Sequence, residues 1–496
     1  MGFKQAMKLY RKAVFWSFVV SLSIIMEAYD TQLIGSFFGF PPFQKKYGEP
    51  YKGGYQIQAQ WQVALSLSST VGVIIGIFAN GYLAERFGHK RVLLVAYVVI
   101  SCTIFITFFA PSVEVLFVGE LLSGLPWGIF ATMSVAYASE VCPVALRGYL
   151  TTYVNLCWVI GHFLAAAVLD GLIDNKTQWA YRIPFAVQWV WPVPLFFLSL
   201  FAPESPWWLV RKGRLVDAEA CVRRLSSKNE AEARQYVAMM VHTNNLEKEL
   251  ESGTSYWDCF KGVDLRRTEI SCIAWGSQTL SGFCLQANNT YFFENAGLAD
   301  SNAYKLSLGF YALGIVGNIS SWFLITKFGR RTIYLGGFCI MTMLMFIIGF
   351  LSLAPASNSG AQWATAIILL VWVLFYDLTL GPVAYAIVSE TSATRLRNKT
   401  IGLARNTMNL VGLINSVVSP YMINPTQGDW KGKAGFLAGG LSTLCLLWGY
   451  FRMPELKGRT YEEVDILFEK RIPARAFSSY EVDAFEYAEQ KALIKS

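Results

Sequence analysis

About twelve apolar stretches, each near or above the roughly 18 residues that cross a bilayer as a helix, govern what this chain can become. They fall at roughly 13–37, 61–83, 92–110, 115–138, 151–172, 183–201, 269–293, 304–325, 332–353, 363–388, 401–423 and 434–451. Hydrocarbon offers no partner for backbone N–H and C=O groups, so such stretches fold as helices that bond within themselves. The expected class is therefore an all-α, multi-pass membrane protein. Only 15% of its 496 residues are charged, too few to cover a soluble surface of that size. The 16 Trp residues suit the aromatic belts of a bilayer interface. Lys and Arg exceed Asp and Glu by 8, but the excess lies in short clusters between apolar stretches, which excludes nucleic acid as a partner. The nine cysteines have neither disulfide-framework nor metal-ligand spacing, and no metal or cofactor is expected. The basic, amphipathic opening MGFKQAMKLYRKAVFWS leads into a full-length span rather than a cleavage site.

Basic residues set the orientation. Lys4, Lys8, Arg11 and Lys12 precede the first span; Arg86, Lys90 and Arg91 follow the second, and Arg147 the fourth. Arg211, Lys212 and Arg214 follow the sixth, Lys327, Arg330 and Arg331 the eighth, and Arg395, Arg397 and Lys399 the tenth. Both termini and the central loop are thus expected in the cytoplasm, although Lys45, Lys46 and Lys52 follow the first span. The glycosylation acceptor Asn175-Lys-Thr falls in an outer loop on this scheme.

The loops repeat. GYLAERFGHKR (81–91) is answered by ITKFGRR (325–331), SEVCPVALRG (139–148) by SETSATRLRNK (389–399), and PESPWWLVRKGR (203–214) by PELKGRTYEEV (454–464). Three paired signals in the same order describe two six-helix halves related by duplication, an architecture of secondary transporters. The expected division is 1–202 for the first half, 203–268 for a cytoplasmic insertion, 269–453 for the second half and 454–496 for a cytoplasmic tail.

These strings resemble the sugar porter family of the major facilitator superfamily over essentially the whole chain. MEAYD (26–30), FPPFQKKYG (40–48), AYASEVCPVALRGYLTTYVNLCWVIG (136–161), YDLTLGPVAYAIVSE (376–390) and LARN (403–406) resemble its fungal maltose/α-glucoside permease branch. The resemblance implies the major facilitator superfamily fold and alternating access. Loop charges Glu85, Arg86, Arg91, Glu140 and Arg147, with Lys327, Arg330, Glu390 and Arg397 as counterparts, are expected to form an inner gate that breaks as the cavity opens. The alternative is a set of solvated basic loops.

Ionisable residues inside spans carry functional hypotheses by default. Here they are Glu27, Asp30, Glu120, His162, Asp170, Asp377 and Arg405. Glu27 and Asp30 lie three apart on one helix face, where each penalises the other's charge, as suits a proton carrier. The resemblance gives Asp30 the proton site, with Glu27 assisting. Many proton-coupled relatives pair that Asp with an Arg on the fourth span; this chain has Glu120 there. Arg405 is then the expected counter-charge, the competing assignment being a structural Arg405–Asp377 bridge. His162 reads as packing and Asp170 as solvated.

A sugar site needs amides, hydroxyls and aromatic faces. The resemblance places Asn155 and Gln278 at sugar-binding positions, and Tyr385 at an aromatic one. Gln286, Asn288, Asn289, Asn406 and Asn409 are further candidates, with helix–helix hydrogen bonding as their alternative role. Thr279 replaces a usual Gln, which favours a cargo larger than a hexose. The expected function is proton-coupled uptake of a maltose-like α-glucoside disaccharide across the plasma membrane, by a monomer. The alternatives are a facilitator, a symporter for lactose, cellobiose or sucrose, and a non-transporting sugar sensor, against which the short tail argues. No motif points to an enzyme.

Overall fold

The computed structural model describes residues 3–38, 40–51, 54–172, 175, 177–250, 255–287, 300–355, 358–393, 395–423, 430–480 and 482. Ten helices or helix pairs among them are long and apolar enough to span a membrane. They are α1 (Arg11–Phe37), α2 (Gln60–Phe87), α3 (His89–Phe109), α4 (Val113–Val141), α5 (Gly148–Asp170), α6 (Trp179–Leu200), α8 (Lys305–Lys327), α9 (Arg330–Leu351), α10 (Gly360–Thr391) and α12 (Ala434–Arg452). Two more, α7 (Gly262–Ala287) and α11 (Arg397–Ile423), are as long and pack among them but are more polar. These two carry Gln278 and Arg405, so the polarity belongs to the site. Several helices begin before the apolar run does, because hydrogen bonding continues past the hydrophobic boundary.

Close packing rests on small residues where it is tightest. α2 carries Gly72 and Gly76, and α4 carries Gly124 and Gly128, a four-residue spacing on both. A Cβ at Gly76 would stand 2.1 Å from the Leu125 carbonyl, and one at Gly128 would stand 2.3 Å from that of Val73. The backbones of α2 and α4 therefore touch, which any larger residue forbids.

Three spans are broken at polar or proline-bearing points. α1 is interrupted at Leu22. α6 is two short helices around a 3-10 turn at Gln188–Val190, among Pro184, Pro192 and Pro194. α10 breaks at Thr379, where Pro382 has no N–H for the Leu378 carbonyl. The breaks at Gln188 and Thr379 both adjoin side chains of the site below.

The described ends of the chain and the insertion gather on one face of the bundle. Ser227 N–H donates to the Leu9 carbonyl, and the Tyr461 hydroxyl to the Ser139 carbonyl at the end of α4. Arg267 at the start of α7 is paired with Asp465 of the tail.

Candidate substrate and coupling site

The site consists of two polar layers, one on the terminal face and one at mid-span. On the terminal face the repeated loops take the same local form twice. Glu204, of PESPWW, accepts the backbone N–H of His89 at 2.9 Å and of Lys90 at 3.2 Å. Glu455, of PELKGR, accepts those of Arg330 at 2.8 Å and Arg331 at 3.2 Å. Each carboxylate thus satisfies the free N–H groups that begin a span, α3 in one case and α9 in the other. Burial pushes the Glu204 carboxyl up, but the imidazole of His89 and the N–H groups of Ser205 and Lys90 outweigh it and hold it below the usual carboxylate range.

The second repeated pair is unequal. In the last six spans Arg330 grips Glu390 with two bonds, Nε to Oε2 at 3.0 Å and Nη2 to Oε1 at 2.9 Å. In the first six the corresponding residue is His89, fully buried, with Nε2 3.7 Å from Glu140 and Nδ1 3.6 Å from Glu204. Glu140 is instead held by Arg211 of the insertion at 3.2 Å and by Ser205. On this face, ion pairs that cross between the first and last six spans include Lys399 with Glu85, and Arg397 at 3.9 Å from Glu140.

Some expected gate residues lie elsewhere. Arg86 and Arg91 are exposed and outside this network. One residue on from Glu85, Arg86 is turned about 100° away round the helix, so Glu85 can meet Lys399 only if Arg86 faces out. Arg330 and Glu390 pair with each other, not across the halves. The Arg147 side chain lies outside the described residues. His89, Lys399, Arg211, Glu204 and Glu455 were missed as partners; the repeat of PES and PEL was the signal that could have found the two glutamates.

At mid-span four carboxyl groups and one guanidinium are buried together or nearby: Glu27, Asp30, Glu120, Asp377 and Arg405. Arg405 Nη2 donates to Glu27 Oε1 at 3.2 Å, joining α11 to α1, and its guanidinium lies 4.9 Å from the Trp158 ring centroid. The Tyr385 hydroxyl also faces Arg405, with its ring edge-on to Trp275 at 5.2 Å. Asp30 accepts the amide of Gln188 from the broken turn of α6, and faces Glu120. No donor among the described residues reaches Asp30 Oδ2, Glu27 Oε2 or either oxygen of Glu120. Asp377, in the last turn before the α10 break, accepts from Asn155 Nδ2 at 3.0 Å and Asn318 Nδ2 at 3.5 Å. The Arg405–Asp377 bridge considered from sequence is therefore not formed; amides meet Asp377, and Glu27 meets Arg405.

Gln278 donates from Nε2 to the Gly381 carbonyl at 3.4 Å and accepts from the Tyr376 hydroxyl at 3.1 Å. The side-chain amides of Asn406 and Asn409 have buried atoms with no partner among the described residues. Buried amides left open in this way are atoms a polar ligand can satisfy. The Gln286 side chain, and Asn288 and Asn289 altogether, lie outside the described residues. Asp170 is exposed at the end of α5. Asn175 accepts from the N–H and hydroxyl of Thr177 in the short α5–α6 loop. Sequence reasoning missed Gln188 and Asn318 as partners, and saw Glu120 only as a departure; Gln188 and Glu120 are lone polar residues in apolar runs, and Asn318 is followed by Ser320 and Ser321.

A polar seam of this kind between helices that unite two repeated halves defines a membrane carrier, and the chain belongs to the Sugar (and other) transporter family, which it matches over residues 16–468. It is thus a transporter and not an enzyme. It is 39% identical over 493 residues to the general alpha-glucoside permease of Saccharomyces cerevisiae, covering 98% of this chain and 80% of that one. It is likewise 39% identical over 502 residues to that yeast's maltose permease MAL31, covering 99% and 81%. In fold it is similar to the major facilitator superfamily proton:xylose symporter XylE bound to 6-bromo-6-deoxy-D-glucose, with a TM-score of 0.80 at 20% identity over 93% of this chain and 100% of that one. An inward open form of XylE from E. coli gives 0.64 at 20% identity, covering 91% and 98%. The fold is that of the major facilitator superfamily, with about twelve spans.

Proposed function

We propose that this protein carries a maltose-like α-glucoside disaccharide across the plasma membrane together with a proton, by alternating access. The mid-span layer is the observation that carries the coupling. Four carboxyl groups and one guanidinium are electroneutral only when three of the carboxyls hold protons, and ionised groups at that depth are costly. Protons are thereby part of the site's composition. Asp30 and Glu120 face one another with oxygens that no donor reaches, so a proton between them supplies the missing O–H···O contact. Glu27 and Arg405 balance each other beside it. The names of the relatives supply the α-glucoside cargo, and Asn155, Gln278, Asp377, Asn406 and Asn409 supply the amide and carboxylate partners its hydroxyls need.

The chain reads as two six-helix halves, 1–202 and 269–453, joined by an insertion at 203–268 and followed by a tail. With basic residues inside, the terminal face is cytoplasmic, and Asn175 lies outside where a glycan can attach. On that reading the Lys399–Glu85 and Arg397–Glu140 contacts close the cytoplasmic side and part when the cavity opens inward. A monomer contains the whole site. One charge moving down about 150 mV supplies roughly 3.5 kcal/mol, enough for accumulation of a few hundredfold at about 1.4 kcal/mol per tenfold.

In vesicles containing a pH-sensitive dye, adding maltose outside should acidify the lumen, whereas mannitol should not. Maltose entry without acidification would leave a facilitator; acidification with lactose, cellobiose or sucrose alone would change the cargo.

A further inference from the structure

Three aromatic side chains lie on the far side of the Asn155–Asp377 layer from the gate; Trp158 packs against the Arg405 guanidinium, and the coupling scheme makes no use of the other two. Asn155, Trp158 and His162 stand three and four residues apart on α5, so they form one stripe along the helix. At 1.5 Å per residue the stripe is about 10 Å long, the reach of two linked pyranose rings rather than one. The His162 ring meets Trp158 edge-on at 5.6 Å, and Tyr311 of α8 tilts against His162 at 5.4 Å. The Tyr311 hydroxyl donates to Gln32 Oε1 of α1 at 2.8 Å. These contacts bring α1, α5 and α8 together in the interior of the bundle. Yet Trp158, His162, Tyr311 and Gln32 are each only partly buried, while Glu27, Asp30, Asn155 and Asp377 beside them are buried. Partial exposure of side chains held between three packed helices, beside the buried Arg405, is what the wall of a cleft requires.

We propose that Trp158, His162 and Tyr311 form a second carbohydrate subsite, holding the outer hexose of a disaccharide while Asn155, Gln278 and Asp377 hold the other. This rests on the sugar-transport reading above. The apolar C–H face of a pyranose lies against an aromatic ring, and its rim of hydroxyls needs short-range donors and acceptors. The imidazole nitrogens of His162, the Tyr311 hydroxyl and the Gln32 amide provide them at the edge of the shelf. The subsite selects for ring number: a monosaccharide fills the inner position and leaves the shelf empty.

The test is calorimetric titration of the purified full-length protein with maltose and with glucose. The wild type should bind maltose more tightly than glucose. Trp158→Leu and His162→Leu should each weaken maltose by about tenfold and leave glucose within about twofold; Trp158→Tyr, which keeps a ring, should retain most of the maltose affinity. Equal weakening of both sugars, or no change in either, in variants that unfold at the wild-type temperature would overturn the subsite. If Trp158→Leu does not fold, His162→Leu and Tyr311→Phe decide the matter by the same comparison. A wild type that binds neither sugar overturns the transport reading itself, whereas one that binds both with equal affinity overturns only the subsite.

Discussion

Arg405 on α11 and Glu27 on α1 form an ion pair at 3.2 Å, both side chains buried, between helices 378 residues apart in sequence. It ties the first helix of one repeat to the fifth helix of the other through the middle of the bundle. Any movement of the two halves must stretch or re-form it.

Removing one partner of a buried pair strands the other, at a cost of about 3–5 kcal/mol, whereas removing both often costs little. Arg405→Leu and Glu27→Leu should each lower thermal stability in detergent strongly, and the double variant should recover most of the loss. Additive losses would show that the pair is not coupled.

Asp30 and Glu120 face each other without a shared donor. Asp30→Asn removes one carboxyl and should abolish accumulation against a gradient while sparing equilibrium exchange of sugar. Glu120→Gln should do the same, if less completely, because Asp30 keeps its Gln188 contact. Uptake by vesicles with and without an imposed pH gradient measures both.

Lys399 and Glu85 join the halves on the terminal face, and Glu85 is partly exposed, so the pair contributes only about 1 kcal/mol or less. Its value is positional. Glu85→Lys and Lys399→Glu should each slow sugar exchange several-fold, and the swapped double variant should restore it. Failure of the swap would remove this pair from the gate.

The Glu204 carboxyl is held below the usual carboxylate range. A group with a depressed folded value contributes stability that is present above its unfolded value and lost as pH falls through the folded one. Thermal stability should therefore fall on acidification below about pH 4, and Glu204→Gln should lose about 1–2 kcal/mol at neutral pH with a flatter acid limb. An unchanged acid limb would put the pH dependence elsewhere.

The spans and the repeat were legible because both are written in continuous sequence: apolar length, and loop strings that recur in order. The same signals placed Glu27, Asp30 and Arg405 in the membrane. Arg405 was legible as a counter-charge to the Glu27 and Asp30 pair, but which carboxylate it meets was not, because helix rotation sets that choice. Gln188 reaches Asp30 only because prolines break α6 beside it. His89 stands unmarked inside the first repeated string, and its place opposite Arg330 emerges from the cap that Glu204 and Glu455 make twice. Arg86 misled because a helix turns adjacent residues to different sides.

Uptake of labelled maltose by vesicles held acidic outside tests the central claim most directly. The account predicts accumulation well above the external concentration, collapse when the gradient is dissipated, and only equilibration in Asp30→Asn. Uptake that stops at equilibrium whether or not a gradient is present, or a failure of maltose to enter at all, would contradict it.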